Sequence, residues 1–400
     1  MIKQSLPPSS SKKSDRRPNE KRKGRREPKG PSRPPFDRLL LLLVLSLITI
    51  GSVMVFSASF AYAEARYGDS GYFSRKQLLF VAIGICLMLG VSLLPPHLFK
   101  KGAAPLFLVT VLLLLATLAF GLTGNGAQRW IALGPFTFQP SELAKLSLVL
   151  TLSSYFSRHG EEEIGSKKGA LRYGILYPFL YIGSICLLVV LQRHLSGLII
   201  LSSIGLLIMF AAGSSKKILG LLCGGGICGV ACLAFMLPYA KERITVWLDP
   251  AAYPLEGGWQ TLQGLMAIGS GGFFGLGLFK SRMKYSWVSE PANDFIFTIT
   301  CEELGFIGAF SILLLFFLFI RRAFLIGIKN PDPFCRLAAV GISIKVAVQV
   351  LLNVAVVTNA IPNTGISLPF FSYGGSSLLM LFAEMGILLS ISRSSLLTYR

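Results

Sequence analysis

Asp294 stands immediately before Phe295, Ile296 and Phe297, at the edge of a long apolar segment. A carboxylate in that position is costly unless it pairs with something or does something. Desolvation beside aromatic side chains is also what brings an acid toward the range of a useful general base. The plain alternative is that Asp294 caps the helix that follows, a common place for Asp. Glu302 and Glu303, further along the same segment, read as acids that solvate a helix end.

The polar stretch that contains Asp294 runs from Trp259 to Gly305. It opens with Gln260 and Gln263, neutral groups suited to a sugar or a pyrophosphate. They lead into Gly269-Ser270-Gly271-Gly272 and Gly275-Leu276-Gly277. Backbone so rich in glycine can approach a lipid-linked phosphate closely, although a tight turn without a ligand accounts for it equally well. A nucleotide-binding reading fails, because no strand–turn–helix unit of a soluble domain surrounds these glycines.

Three further groups carry chemistry-bearing residues. Arg129 and Trp130 precede Pro140-Ser141-Glu142, which reads as a helix start. Glu142 and Lys145 then share a face at i,i+3 spacing. They are either a local ion pair or, with Arg129, part of a cationic wall facing an anionic headgroup. Lys345, Gln349 and Asn353 recur every fourth residue and line one face of another apolar helix. Lys345 and Glu384 lie about 12 and 15 Å from the inner ends of their segments, at about 1.5 Å per residue. That agreement in depth predicts a structural Lys345–Glu384 pair. Between those segments, Pro362 to Ser377 holds two prolines, three glycines and several hydroxyls, which predicts irregular backbone forming a cavity wall.

What must position these residues follows from composition. The 400-residue chain is 52% hydrophobic and 14% charged, against about 25% charged for soluble domains. It reads as an all-α polytopic membrane protein. Ten spans are expected, at about 39–62, 77–95, 104–123, 141–157, 174–191, 196–213, 217–238, 304–320, 337–357 and 376–394, within a membrane domain 39–394. Residues 1–38 form a basic tail too poor in apolar groups to fold, and 395–400 a short C-terminus. The formal net charge of +20 does not indicate a nucleic-acid partner, because the cations sit in that tail and in loops. Lys and Arg are concentrated in the tail and alternate loops, which places both termini in the cytoplasm. Every motif-rich loop then faces outward, including the large loop 239–303 between spans seven and eight, where no ATP or other nucleotide is available. The seven cysteines, at 86, 186, 223, 228, 232, 301 and 335, match no metal or disulfide pattern and read as small core hydrophobes.

Four stretches in this order, RWIALGPFTFQPSELAK, QTLQGLMAIGSGGFFGLGL, EPANDFIFTITCEELGFIG and QVLLNVAVVTNAIPNTGISLPFFSYGGSS, resemble the SEDS family (shape, elongation, division and sporulation proteins). The wording around Asp294 and the basic tail are closer to the division type than to the elongation type. The resemblance implies a ten-span polymerase of lipid II in the cytoplasmic membrane, adding disaccharide–peptide units to a lipid-linked glycan strand with inversion. It implies a class B penicillin-binding protein and other division-complex membrane proteins as partners, and a divalent cation (Mg or Mn) as a cofactor. On this matching Asp294 is the base that takes the proton of the attacking sugar hydroxyl. Arg129, Lys145 and Arg243 stabilise the leaving pyrophosphate, and Glu142, Gln260, Gln263, Ser270, Gly271, Gly272, Thr364, Ser372, Tyr373 and Gly374 complete the substrate site. One departure stands out: Gln192-Arg193-His194-Leu195-Ser196-Gly197 lacks the acid that many relatives carry there. His194 would meet phosphate if protonated, or simply occupy the loop.

Two other classes compete with polymerisation. The polar stripe on the ninth span would suit a transporter that moves lipid II across the membrane. A non-catalytic scaffold for a penicillin-binding protein would also preserve part of the outer loops.

Overall fold

The structure is a computed structural model that describes residues 36–395, apart from 125–126, 135, 160–168, 237, 254–256, 286 and 289–290. The predicted basic tail therefore lies almost wholly outside the described residues, as do 396–400 and most of the Arg158–Gly174 connector.

In chain order the elements are α1 (Arg38–Tyr67), α2 (Tyr72–Leu93), α3 (Pro96–Phe120), β1 (Leu122–Gly124), β2 (Ala127–Leu133) and β3 (Phe136–Phe138), then α4 (Pro140–Arg158). They continue as α5 (Gly169–Leu191), α6 (Leu195–Ala211), α7 (Lys216–Met236), α8 (Pro238–Leu248) and α9 (Gly257–Gly271). The last three are α10 (Ile296–Ile328), α11 (Pro333–Val357) and α12 (Gly375–Ser392). Seven of them, α1, α2, α3, α5, α10, α11 and α12, are long and apolar enough to cross a membrane. The protein is a polytopic membrane protein. Helices α4, α6 and α7 stand where three further spans are expected.

Local signals set the helix ends. Asp37 Oδ1 accepts from Leu40 N at 2.8 Å to start α1, and Asp332 Oδ1 accepts from Cys335 N at 3.0 Å to start α11. Pro96, Pro140 and Pro333 occupy first-turn positions, where a missing N–H costs nothing. Gly68, at φ 64°, ends α1 in the left-handed conformation.

Two local features within this mostly helical fold were not expected. The segment expected as the end of span three plus a loop is a three-stranded antiparallel sheet of order β1-β2-β3, with Leu122 opposite Trp130 and Ile131 opposite Phe138. The second departure is α10. Its 33 residues break at Gly305 (φ 67°, ψ −169°), one residue inside the eighth span expected at about 304–320. The half-helix Ile296–Leu304 precedes the break and is buried almost throughout.

The glycine-rich turn after α9 repairs the break. Leu276 N and Gly277 N donate to the carbonyls of Glu302 and Glu303, each at 3.0 Å, while Phe306 N and Ile307 N donate to Gly272 O and Phe273 O. A Cβ on Gly305 would lie 2.2 Å from Gly275 N, and one on Gly271 2.1 Å from Cys301 O. Non-helical backbone at membrane depth is tolerated only when protein satisfies it in this way. Close backbone crossing thus accounts for these glycines.

The bundle has two distinct ends. The start of α1 meets the end of α12 where Asp37 N donates to Ser392 Oγ at 3.0 Å. Arg322 of α10 pairs with Asp37 there at 2.5 Å. The segment between α11 and α12 lies at the opposite end and turns back inward. Phe370 and Phe371 are buried against Phe316 and Phe319 of α10, and a Cβ on Gly51, in α1, would lie 2.2 Å from Phe370 O. Cys186, Cys301 and Cys335 are buried as expected of core cysteines, whereas Cys86 and Cys223 face outward from the bundle.

Candidate active site

The re-entrant segment 359–374 is the hub of the site. Asn353 Nδ2, on buried α11, donates to Asp294 O at 2.9 Å and to Ile366 O at 2.7 Å. Tyr373 N donates to Ala292 O at 2.8 Å, and Ser372 Oγ to Asn293 O at 2.8 Å. Three successive carbonyls ahead of α10 are therefore held by two other elements. The helix cap position is Phe295 rather than Asp294, with no bond from the Phe295 side chain to the first turn. The Asp294 carboxylate lies against the re-entrant segment. A Cβ built on Gly365 (φ 69°) would sit 3.1 Å from Asp294 Oδ2.

One cation and several neutral polar groups reach the same segment from α6, α8 and α9. Arg243 Nη1, on α8, donates to Asn363 O at 2.5 Å. Gln260 Oε1, on α9, accepts from Asn363 Nδ2 at 3.2 Å, and Trp247 Nε1 donates to Asn359 O at 3.0 Å. Ser196 at the start of α6 hydrogen-bonds Thr364 O, and the Thr364 hydroxyl is buried with no partner among the described residues. Arg129, on β2, donates to Arg193 O at 3.4 Å.

A second polar group lies deeper. Lys145 Nζ and Glu142 Oε1 are 2.7 Å apart and buried on α4. Lys345 Nζ on α11 meets both carboxylate oxygens of Glu384 on α12, at 2.8 and 2.7 Å. Glu142 and Lys345 share a cavity of about 20 Å³ with Gln349, Ser367, Ser372 and Ser377, room for about one water. Gln349 and Asn353, one and two turns along α11 from Lys345, place further polar groups between the ion pairs and Asp294.

The remaining expected substrate residues are placed otherwise. Ser270 donates to Ala267 O within its own helix, and Gly271 and Gly272 belong to the turn that closes the α10 break. Ser372 accepts from Leu368 N at 2.7 Å while donating to Asn293 O, so its hydroxyl holds backbone. Tyr373 packs edge-on against Phe73 of α2. Gly374 precedes α12, where its carbonyl accepts from Ser377. Gln263 is buried in α9.

His194 is buried beside Arg129, Lys145 and Glu142. Burial first, and then those cations, pulls its pKa down to about 3. It is neutral at physiological pH, which removes the reading of a protonated phosphate contact. Glu302 and Glu303 also depart from expectation. Neither solvates a helix end: both are fully buried, and Glu303 pairs with Lys284 at 2.9 Å. Two adjacent acids inside an apolar run were the available signal, and Lys284 had none.

Among the described residues no group of three or more His, Cys, Asp or Glu could hold a metal ion. Glu142 is committed to Lys145, so Asp294 is the carboxylate that could share a divalent cation with substrate phosphates. A cation there would be held mainly by substrate phosphates.

Fold and site together define a polytopic membrane protein with a single acid held at one bundle end by re-entrant backbone, above buried polar groups. Residues 37–396 match the family model of the FtsW/RodA/SpoVE cell cycle proteins, and the chain belongs to that family. It is 38% identical to the stage V sporulation protein E of Bacillus subtilis over 90% of this chain and 97% of that one. It is 36% identical to the probable peptidoglycan glycosyltransferase FtsW of a Geobacter species, over 89% and 96%. Among solved structures, a chain of a peptidoglycan synthase complex superposes with TM-score 0.75 at 29% identity, over 90% and 98% of the two chains. The rod shape determining protein RodA of Thermus thermophilus superposes with TM-score 0.67 at 27% identity and the same coverage.

Proposed function

We propose that this protein is a peptidoglycan glycosyltransferase that polymerises lipid II into glycan strands at the outer face of the cytoplasmic membrane. The observation that carries it is the seating of Asp294: its carboxylate lies against Gly365, and its turn is fixed by Asn353, Ser372 and Tyr373. A base that must meet a sugar hydroxyl needs that fixed position. In this reading Asp294 takes the proton of the 4-hydroxyl as it attacks the anomeric carbon of the lipid-linked donor. The bond to the pyrophosphate breaks with inversion, and Arg243, Arg129 and Lys145 stabilise the departing charge.

The distribution of Lys and Arg supports a cytoplasmic placement of both termini, and hence an outward site. Curated relatives named as peptidoglycan glycosyltransferases support the chemistry. A class B penicillin-binding protein is the proposed partner, with the division complex as the setting; the sporulation relative shares the same extent of chain.

The test is glycan polymerisation from purified lipid II by the protein with its penicillin-binding partner, whose crosslinking serine is inactivated. Wild type is expected to make long strands, and Asp294→Asn to make less than about a hundredth as much. No strands from a folded, partner-bound wild type would remove the enzyme reading in favour of scaffold or transporter. Equal strands from both would remove Asp294 as base.

A further inference from the structure

A third buried charged group, separate from those two ion pairs, joins α1, the outer loop and the half-helix below Asp294. Lys284, Glu303 and Ser57 are all fully buried. Lys284 Nζ donates to Glu303 Oε1 at 2.9 Å and to Phe279 O at 2.7 Å, and lies over the Phe60 ring at 5.2 Å. Ser57 Oγ donates to the Glu303 carboxylate at 2.7 Å, and Ser281 N donates to it at 3.2 Å. Glu302, beside it, accepts from Ser281 Oγ at 2.5 Å and from Arg282 N at 2.9 Å. Two adjacent carboxylates thus hold the loop 281–284 and, through Ser57, the wall of α1.

The geometry matters because the half-helix Ile296–Leu304 is short and ends at a break. It is a strut of about 13 Å at 1.5 Å per residue, with Asp294 above one end and Glu302 and Glu303 at the other. The upper end is tied by the hydrogen bonds from Asn353, Ser372 and Tyr373. The lower end has the backbone bonds across the Gly305 break and this charged cluster. A tilt of about 10° at the lower end moves the upper end by about 2 Å over that length, and a misplacement of about 1 Å can cost about a hundredfold in rate.

We propose that Lys284, Glu303 and Ser57 are positioning residues that lock the foot of this strut to α1 and so fix the Asp294 carboxylate for proton abstraction. The proposal rests on the reading of Asp294 as the base. A buried pair serving stability alone is often replaceable by uncharged groups without loss, whereas removing one partner strands a buried charge. The double variant Lys284→Met/Glu303→Gln therefore separates the two roles.

The experiment measures kcat and KM for lipid II, thermal stability in detergent, and amide exchange of the segment 291–296. It compares wild type, the double variant and Ser57→Ala, each with the partner bound. The double variant is expected to unfold near the wild-type temperature, to lose at least about tenfold in kcat with KM within about twofold, and to exchange faster at 291–296. Ser57→Ala, which loses one hydroxyl contact, is expected to lose about threefold in kcat with the same local increase in exchange. Wild-type kcat in the stable double variant, or unchanged exchange at 291–296 in both variants, would overturn the lock. If the double variant does not fold, Ser57→Ala decides by the same two readings. If wild type itself makes no glycan, the functional reading fails, while exchange at 291–296 still decides whether the cluster positions the turn.

Discussion

At the scale of residues, neighbours decide what each polar group can do. His194 is the clearest case, since type alone permits a cation and burial removes it. Its ordinary pKa of 6.5 is held down to about 3 in the folded protein, so the unfolded chain binds a proton below pH 6.5 that the native chain refuses. Stability from this site is complete above that pH and falls as pH drops, by about 2 kcal/mol at pH 5. Unfolding measured at pH 7.5 and 5 should show that loss in wild type and not in His194→Gln, and equal losses would mean the histidine is not buried neutral. Lys345 and Glu384 make a second case. Lys345→Met or Glu384→Gln alone is expected to cost about 3–5 kcal/mol, and the double variant well under their sum. Strict additivity in a denaturation cycle would show that the two do not interact.

At the scale of elements, the apolar spanning helices and the motif-bearing stretches were legible in the sequence, because apolar runs and caps mark helices and because Asp294 breaks a pattern. By contrast, α8, α9 and the half-helix Ile296–Leu304 lie almost wholly inside the stretch expected as loop 239–303. What was not legible depends on contacts between distant segments. Gly305 looked like part of the first turn of a span because the apolar run thickens there, yet it is a break whose flanking carbonyls and N–H groups are satisfied by Gly272, Phe273, Leu276 and Gly277. The strands at 122–138 are short and interrupted by Gly134, so no alternation of useful length announces them. The depth of Phe370 follows only from its contact with Gly51. The break makes a sharp prediction. Gly305→Ala has both a left-handed backbone and a Cβ 2.2 Å from Gly275 N, whereas Gly272→Ala has a positive φ with open space around it. Thermal unfolding should place Gly305→Ala well beyond the roughly 1 kcal/mol of simple backbone strain, and Gly272→Ala close to it. Equal effects would mean the crossing is not close-packed.

At the scale of the whole molecule, the polar groups are segregated by end. The end where the described chain begins and closes carries the Asp37–Arg322 pair and the Asn330–Ser394 contact, which knit α1, α10 and α12 together. The other end carries Asp294, Arg243 and the re-entrant segment. Lipid II presents its pyrophosphate and sugars at one surface, so the proposed reaction requires that this second end face outward. The proposal that both termini are cytoplasmic, which rests on the positive charge of the tail and alternate loops, requires the same orientation. Thr358, at the end of α11, and Lys329, in the turn between α10 and α11, are exposed, which makes them suitable reporters in a variant lacking the native cysteines. Thr358→Cys is expected to react with a membrane-impermeant maleimide in intact cells, and Lys329→Cys only after the membrane is permeabilised. The reverse pattern would put the Asp294 end in the cytoplasm, away from polymerised wall, and a glycosyltransferase building strands outside could not work from there. Orientation therefore tests the chemistry as sharply as any substitution in the site.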